Sequence, residues 1–516
     1  MKDLLKWIPR STADILVSVC LLSLVAVKIF AVACSGVNED IDMVLTPTRV
    51  LVNEGNMSDV GQGYPFQAIR DATGDREDMN RPFYLSYFGP VLYFAPFVML
   101  LGSGTSVPFA VGQAVSLLIF CGLTLWLYRE QNCFRVNAIL LLGLLAVSID
   151  GSIYDSPTQL PFYPLLLLVW FYRDQYFVRP LILGILLGAS YQFRPEALAL
   201  LAGLMISNFC FDVTWARYLK SSLIVLVVFL AVHLSIQLLR SSLGADTGTD
   251  HLIAAMGIDV LDDGFGVMFG STVYTVSDFF ESDAIRRMLT KVFWRIRGFH
   301  WNARQDLLMI IPFALFALLR LSGLNEKCRR GFVFWFVFVA GTFAISFVGT
   351  LAQRYYDPVF VITCFLALEL WPSIRDLLIR ANRILLGFAY ICIAILLFLG
   401  VHHTVSQRVN NPMELSYRNA SDEILKIVPK EYRMLSRHPE YWSWYGHGRT
   451  VLFHDNRFEI LPAVMHAYEP EAMLVFLDRY NTSVTAPEKI LHLSLRRIIK
   501  LDRGPQEATA IAVYRK

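Results

Sequence analysis

The chain has 516 residues, and its 46 Lys and Arg against 43 Asp and Glu give a net charge of +3. Only 17% of the residues are charged and 55% are hydrophobic, whereas a soluble protein of ordinary composition has about 25% charged residues. The small net charge argues against a nucleic-acid partner. Apolar residues gather in runs that approach the ~20 residues needed to cross a bilayer. The composition therefore predicts a polytopic α-helical membrane protein.

The cysteines argue against two small-domain classes. All eight lie in or near apolar segments, none follows position 402, and no C-x-x-C pair occurs. A disulfide framework or a zinc ribbon would need a different pattern.

The first apolar run, residues 13–34, follows Lys2, Lys6 and Arg10. A signal peptide is one interpretation, but the run is long and no small-residue cleavage site precedes the acidic loop behind it. A retained span with a cytoplasmic N-terminus is favoured, because basic residues remain on the cytoplasmic side. This orientation places a first outer loop, residues 36–93, outside the membrane.

Further apolar segments predict the remaining spans. They lie near 86–102, 107–127, 135–149, 157–172, 180–211, 218–240, 304–321, 331–351, 355–371 and 384–401. Segment 180–211 is interrupted by Arg194-Pro195-Glu196 and is counted as one kinked or re-entrant unit, which gives about eleven spans. Basic turns at 327–330 and 375–383 are predicted to be cytoplasmic, whereas those at 129–135 and 173–179 violate the rule in this count. The predicted range is therefore ten to thirteen.

Two regions outside the membrane follow from this topology. A second outer loop covers 241–302, and the chain after 401 is polar, without a run of bilayer length. Strand-like pieces at 432–435, 450–453 and 510–514 alternate with a helical pattern at 471–480. We predict a transmembrane domain over 1–401 and a small outer α/β domain over 402–516.

Short motifs spread along most of the chain resemble those of one family. They are Asp40…Arg49…Leu51…Gly55, Arg81-Pro82-Phe83-Tyr84, Phe193-Arg194-Pro195-Glu196, Arg354-Tyr355-Tyr356-Asp357-Pro358, and Ser436-Arg437-His438-Pro439 followed by Trp444-Tyr445-Gly446. In this order they are similar to the GT-C superfamily of integral membrane glycosyltransferases, which use polyprenyl-phosphate-linked sugars. Two details depart from that pattern: one proline at Pro82 instead of two, and Asp42 two residues after Asp40 where the acidic neighbour is usually adjacent.

Asp40 is the predicted general base, because a carboxylate at the membrane surface can take the proton of an attacking hydroxyl. The alternative is that Asp40 caps a helix beginning near Met43. Asp42 and Glu39 are further candidates for the base. A carboxylate pair could also hold a divalent metal together with the donor phosphate, although nothing in the spacing requires a metal.

Three arginines are predicted to bind the donor phosphate, whose charge an arginine matches with a bidentate fork. Arg354 and Arg81 stand where outer loops meet spans, and the alternative for both is an interfacial anchor. Arg194 lies inside an apolar region and must find a partner. For Arg194 a structural role with Glu196 or a backbone carbonyl is favoured.

Aromatic residues complete the predicted substrate cavity. Tyr84, Tyr355 and Tyr356 could stack on sugar or line a prenyl groove, and an interfacial aromatic belt explains them equally well. His300 belongs to an amphipathic stretch of the second outer loop that could frame the site. His447 is interpreted as a surface residue of the outer domain rather than a ligand.

The resemblance implies an inverting glycosyltransferase that moves a sugar from a polyprenyl-phosphate lipid to a lipid-linked or cell-envelope glycan acceptor on the outer side. A bacterial inner membrane is preferred, with residues 402–516 periplasmic. A transporter or flippase of lipid-linked sugars is an alternative, for which pseudo-symmetric halves would be expected. A non-catalytic glycan-binding membrane protein is the third possibility.

Overall fold

The computed structural model describes residues 12–57, 88–129, 134–147, 156–211, 214–244, 325–348, 357–381, 413–436, 440–452, 461–478, 487–501 and 508–516, with six isolated residues. These residues are mostly helical. The helices of the first 400 residues are α1 (Thr12–Ser35), α2 (Glu39–Glu54), α3 (Phe88–Leu101), α4 (Val107–Leu127), α5 (Phe134–Val147), α6 (Gln159–Tyr172), α7 (Pro180–Tyr191), α8 (Ala197–Phe211), α9 (Trp215–Ser242), α10 (Glu326–Val348) and α11 (Asp357–Ala381). The later elements are α12 (Glu414–Leu425), β1 (Arg433–Ser436), α13 (Glu440–Ser443), β2 (Arg449–Leu452), α14 (Leu461–Tyr468), β3 (Ala472–Asp478), β4 (Lys489–Ile490), β5 (Leu493–Lys500) and β6 (Ala508–Arg515).

Four of the described helices are long and apolar enough to cross a membrane: Asp14–Ser35, Val107–Leu127, Trp215–Ser242 and Glu326–Ile345. Helix α9 exposes a series of large apolar side chains along its length, as a helix does when its surroundings are lipid rather than water. The protein is an integral membrane protein. The count of about eleven spans stays a prediction, because 304–321 and most of 384–401 lie outside the described residues.

The predicted break in segment 180–211 is confirmed. Helix α7 ends at Tyr191 and α8 begins at Ala197, so the interruption includes Arg194-Pro195-Glu196. Proline has no N–H to donate and disfavours helical geometry in the residue before it. Neither half reaches the length that spans a bilayer.

The chain divides into two compact units. The first comprises Met1–Ile29, Gln113–Ile236 and Arg286–Gln407, and the second comprises Phe30–Gly112, Gln237–Ile285 and Arg408–Lys516. The second unit therefore contains both α2 and the C-terminal sheet. The predicted domain boundary at 401 stays a prediction.

A buried ion pair joins the residue directly after α6 to α11 within the first unit. Arg173 is fully buried, and its Nη1 donates to Glu369 Oε1 over 3.0 Å while its Nη2 lies 2.5 Å from Oε2. Trp170 donates its indole N–H to the same carboxylate over 3.0 Å, and the guanidinium lies 4.0 Å from the centre of the indole ring. This bidentate geometry with a third donor is the arrangement in which a buried pair is best compensated.

Within the second unit, six strands form one mixed sheet in the order β2-β1-β3-β6-β5-β4. Strand β1 pairs in parallel with β2 and β3, and the remaining pairs are antiparallel. Residues of five strands and of α14 form its core: Leu435, Leu461, Met465, Met473, Ile490, Leu493, Ala512 and Tyr514. Three predicted strands are confirmed, as β1, β2 and β6.

The predicted helix over 471–480 is wrong. This segment contains β3, which pairs with β1 on one side and β6 on the other. Its Ala-Met-Leu-Val-Phe-Leu run is continuously apolar, as is usual for a central strand. Periodicity alone cannot separate such a run from a buried helix, and the pairing partners decide it.

We predict that Glu369→Ala lowers the free energy of unfolding by about 3–5 kcal/mol, because it leaves Arg173 charged and buried without its bidentate partner. The Asp174 carboxylate, 3.7 Å from Arg173 Nε, remains as a weaker one. Denaturant-induced unfolding in detergent measures this change. Glu326→Ala is the matched control: Glu326 is 61% exposed in its pair with Arg330, and its loss should cost only about 0.3–0.5 kcal/mol. Equal losses for the two variants would contradict the prediction.

Candidate active-site helix and its anchor

Helix α2 carries Glu39, Asp40 and Asp42, the three candidates for the general base. It begins at Glu39, whereas a helix capped by Asp40 would begin two residues later. Asn38 is the N-cap, with extended backbone geometry and a side-chain oxygen that accepts from the Ile41 N–H over 3.0 Å. The interpretation of Asp40 as the cap of a helix beginning near Met43 is therefore wrong. Glu39 and Asp40 instead occupy the first turn, where the exposed N–H groups and helix dipole favour negative charge.

Asp42 lies on the buried face of α2 and is fully buried. Its Oδ1 accepts from the Thr46 hydroxyl over 2.7 Å, one turn later in the same helix. Its Oδ2 accepts from the Ser443 hydroxyl, also over 2.7 Å. A buried carboxylate that is hydrogen-bonded through both oxygens is suited to holding structure together. Catalysis by Asp42 stays a prediction, and this geometry favours a structural role.

Arg49 lies one helical turn beyond Thr46 and also contacts Ser443. Its Nη1 donates to the Ser443 carbonyl oxygen over 2.6 Å, and its side chain is nearly buried. Burial lowers the pKa of Arg49, and the negative charges of Asp42 and Glu54 oppose that shift. The guanidinium remains charged, because arginine does not deprotonate in proteins. Ser443 thus binds α2 through both its hydroxyl and its carbonyl.

We call residues 440–448 the anchor segment and residues 36–38 the linker between α1 and α2. Tyr445, in the anchor segment, accepts from the Val37 N–H over 2.8 Å and donates to Glu414 Oε2 over 2.5 Å. The other oxygen of Glu414 accepts from the Ser106 N–H over 3.0 Å. The anchor segment therefore contacts both the beginning and the middle of α2.

Burial shifts the pKa values of two groups in this network. It raises the pKa of Tyr445 well above 10, and the adjacent Glu414 charge acts in the same direction, so the phenol stays protonated. Burial also raises the pKa of Glu414, although the hydrogen bonds from Tyr445 and Ser106 oppose the rise.

Gly36 allows the linker to pass close to this network. Its φ is +77°, a backbone conformation that residues with a Cβ rarely adopt. A Cβ at this position would lie 2.8 Å from Cδ2 of Tyr417, whose ring stacks on Tyr445 at a centroid distance of 5.5 Å and an angle of 5°. Glycine is therefore required here for both backbone conformation and space.

His447 is exposed at the end of the anchor segment, as predicted for a surface residue. Its Nε2 lies 3.5 Å from the Ser103 hydroxyl. Partial desolvation, together with the positive charges of Arg49 and Lys430, lowers the pKa of His447 to about 4. The imidazole is therefore neutral at pH 7.

Arg194 is paired with other side chains of the first unit. Its Nε donates to Glu196 Oε2 over 3.1 Å, its Nη2 contacts Glu196 Oε1, and its Nη1 donates to the Thr158 hydroxyl over 3.3 Å. The side chain is 2% exposed. These contacts favour the structural alternative for Arg194 over phosphate binding.

The other predicted site residues lie outside what the structure describes. For Glu39 and Asp40 only the backbone is described, in the first turn of α2. The remaining predictions fall on residues that are not described: Arg81, Tyr84, His300, Arg354, Tyr355 and Tyr356. Among the described residues, no three His, Cys, Asp or Glu side chains cluster as a metal site would require.

The sequence did not indicate the roles of Ser443, Tyr445 and Glu414. Tyr445 and Arg49 belong to motifs of the family resemblance, so their presence was visible, but their contacts join residues up to 408 positions apart in sequence. Glu414 is the first residue of α12, in a polar stretch, and belongs to no motif. A single sequence offers no signal that would connect it with Tyr445.

The fold of this chain is similar to those of two solved structures. ArnT from Cupriavidus metallidurans, whose structure was determined bound to undecaprenyl phosphate, matches with a TM-score of 0.54 and 10% identity over 96% of this chain and 97% of that chain. The oligosaccharyltransferase from Archaeoglobus fulgidus, in its apo form, matches with a TM-score of 0.52 and 12% identity over 88% of this chain and 69% of that chain.

At these identities the comparisons show the fold, and the predicted GT-C resemblance is confirmed at that level. Searches against protein-family models and curated proteins gave no match.

We predict that Gly36→Ala lowers stability more than Gly55→Ala. Both glycines have positive φ, so each substitution costs about 1 kcal/mol of backbone strain. At Gly55 nothing lies within 4 Å of an added Cβ, whereas at Gly36 the Tyr417 ring must move, which adds about 1–3 kcal/mol. Thermal unfolding in detergent, followed by circular dichroism, measures the difference. Equal shifts of the two midpoints would show that Tyr417 moves aside without cost.

Proposed function

We propose that this protein is a membrane glycosyltransferase that transfers a sugar from a polyprenyl-phosphate donor to an acceptor hydroxyl on the outer side of the membrane. The observation that carries the proposal is the likeness of the fold to ArnT over 96% of the chain. ArnT binds undecaprenyl phosphate, and we extend a polyprenyl-phosphate ligand to this chain by that likeness. The proposed acceptor is a lipid-linked or cell-envelope glycan, and the proposed location is a bacterial inner membrane with residues 402–516 in the periplasm.

The proposed reaction is an in-line displacement at the anomeric carbon. The acceptor oxygen forms a bond to that carbon, the bond between the carbon and the phosphate oxygen breaks, and polyprenyl phosphate leaves with the bonding electrons. Asp40 takes the proton of the acceptor hydroxyl. Attack from the face opposite the leaving group inverts the configuration of the sugar.

The acidic residues of α2 have separate tasks in this proposal. Asp42 is buried and accepts hydroxyl hydrogen bonds from Thr46 and Ser443, so we assign it to the anchoring of α2. Asp40 lies two residues earlier, in the first turn. We therefore prefer Asp40 as the base, with Glu39 as the next candidate.

Arg354 and Arg81 are proposed to bind the donor phosphate. The leaving phosphate gains negative charge as the glycosidic bond breaks, and fixed guanidinium groups stabilise that charge. Tyr84, Tyr355, Tyr356 and His300 are proposed to line the sugar or prenyl part of the site. A divalent metal held by the carboxylates of α2 is not required by this scheme.

Two other functions would use the same fold differently. A flippase of lipid-linked sugars would move the donor without breaking its phosphate bond. A glycan-binding membrane protein would bind without turnover. Formation of a glycosylated acceptor together with free polyprenyl phosphate separates the proposed enzyme from both.

We predict that Asp40→Asn lowers kcat by about 10²–10⁴-fold, the usual contribution of a general base, while donor binding and thermal stability are retained. The assay incubates purified protein with a polyprenyl-phosphate sugar and crude acceptor lipids and follows released polyprenyl phosphate.

Asp42→Asn is the matched control, with the same change two residues away. It replaces one hydrogen-bond acceptor by an NH₂ donor among hydroxyl donors, so it should lower the unfolding temperature and leave substantial turnover. An active Asp40→Asn variant beside an inactive but stable Asp42→Asn variant would assign the base to Asp42. Absence of turnover in the wild-type protein with every donor tried would favour the two other functions.

We predict that Arg354→Ala weakens donor binding or transition-state stabilisation by about 2–5 kcal/mol, as expected when one partner of a desolvated charge pair is removed. Steady-state kinetics and equilibrium binding of the donor lipid measure the change. Arg135→Ala is the control, because Arg135 is 46% exposed and pairs with Asp14 over 3.0 Å. A loss within about 0.5 kcal/mol for Arg354→Ala would identify it as an interfacial anchor.

A further inference from the structure

The linker between α1 and α2 is held from both sides by residues distant in sequence. At the end of α1, the Ala33 carbonyl accepts from the Ser106 hydroxyl over 2.8 Å, and the Cys34 carbonyl accepts from the Met413 N–H over 2.8 Å. Three residues later, the Val37 N–H donates to Tyr445. The carbonyls at a helix end and the N–H groups near a helix start need such partners when they are buried.

The Tyr445 hydroxyl connects these contacts into one network. It accepts from Val37 and donates to Glu414, and Glu414 accepts from the N–H of Ser106, whose own hydroxyl binds the end of α1. The tyrosine ring is buried and stacks on Tyr417. The hydroxyl is therefore fixed in place by packing as well as by hydrogen bonds.

The network contacts Val37, three residues before the proposed base Asp40. Val37 is followed by the N-cap Asn38, and Asp40 is the second residue of α2. Downstream, Ser443 binds Asp42 and Arg49. The first turn of α2 thus lies between two attachments, one through Tyr445 and one through Ser443, and both belong to the anchor segment.

We infer that Tyr445 and Glu414 are positioning residues that hold the linker and the first turn of α2, so that the Asp40 carboxylate is placed for proton transfer. This inference rests on the proposed function. A misplacement of about 1 Å at a reacting group can cost 10²-fold in rate. The two residues touch neither donor nor acceptor in this scheme and act through the Val37 backbone.

Tyr445→Phe is the decisive variant, because it removes one hydroxyl and keeps the ring and its stacking on Tyr417. Tyr514→Phe is the matched control: Tyr514 is also a buried residue of the second unit, and its hydroxyl donates to the Pro487 carbonyl over 2.9 Å. Both variants lose one tyrosine hydroxyl that donates a hydrogen bond, but only Tyr445 contacts the linker.

We expect Tyr445→Phe to lower kcat by about 10–100-fold with donor KM within about twofold of wild type, and Tyr514→Phe to leave both unchanged. Hydrogen–deuterium exchange, read by mass spectrometry, should become faster in peptides covering 36–42 for Tyr445→Phe alone. The exchange measurement does not depend on turnover, so it tests the anchoring even if the proposed function fails.

The role of the Glu414 carboxylate is tested with Glu414→Gln and Glu414→Ala. Glutamine retains an oxygen that can accept from Tyr445 or Ser106 and should keep most of the activity, whereas alanine should reproduce the effect of Tyr445→Phe. Unchanged kcat and exchange in Tyr445→Phe would overturn the inference. So would an equal loss in Tyr514→Phe, because that result would reflect general destabilisation. Loss of turnover in Asp40→Asn with full activity in Tyr445→Phe would retain the enzyme and reject the positioning role.

Discussion

The hydrogen bonds of the buried Asp42 carboxylate are the constraint on which the candidate site depends. A carboxylate removed from water is costly unless both of its oxygens are paired. One oxygen of Asp42 is paired within α2, but the other needs the Ser443 hydroxyl, 401 residues away. Helix α2 therefore reaches its buried state only when the anchor segment is in place. Arg49, which binds the carbonyl of the same serine, adds to the requirement.

The sheet of the second unit explains why the anchor segment can serve this purpose. Strand β1 is paired on both sides and is followed directly by residues that lead into 440–448. Functional segments at the ends of strands are commonly positioned in this way by a rigid scaffold. The C-terminal residues supply the hydroxyl, carbonyl and phenol groups that bind α2 and the linker before it. The first unit has its own internal restraint in the buried pair of Arg173 and Glu369.

Sequence-based prediction succeeded where the signal is local. The apolar run 107–127 is helix α4 with the same bounds, and the interruption at Arg194-Pro195-Glu196 separates α7 from α8. Three strand-like pieces are strands. It failed for β3, because a continuously apolar segment has no periodicity that distinguishes a central strand from a buried helix. The alternative in which Asp40 caps a helix beginning near Met43 was also wrong, because α2 begins at Glu39 with Asn38 as its cap.

The sequence by itself determined that this is a membrane protein, approximately where most of its described helices lie, and which motifs resemble the GT-C superfamily. Hydropathy and backbone preferences act over one or two helical turns, so a single chain displays them directly. Only the tertiary structure decided that Asp42 is buried against Ser443 and that Tyr445 joins Val37 to Glu414. These contacts bring together residues far apart in sequence, and their stability comes from burial and mutual pairing, which exist only once the chain has folded.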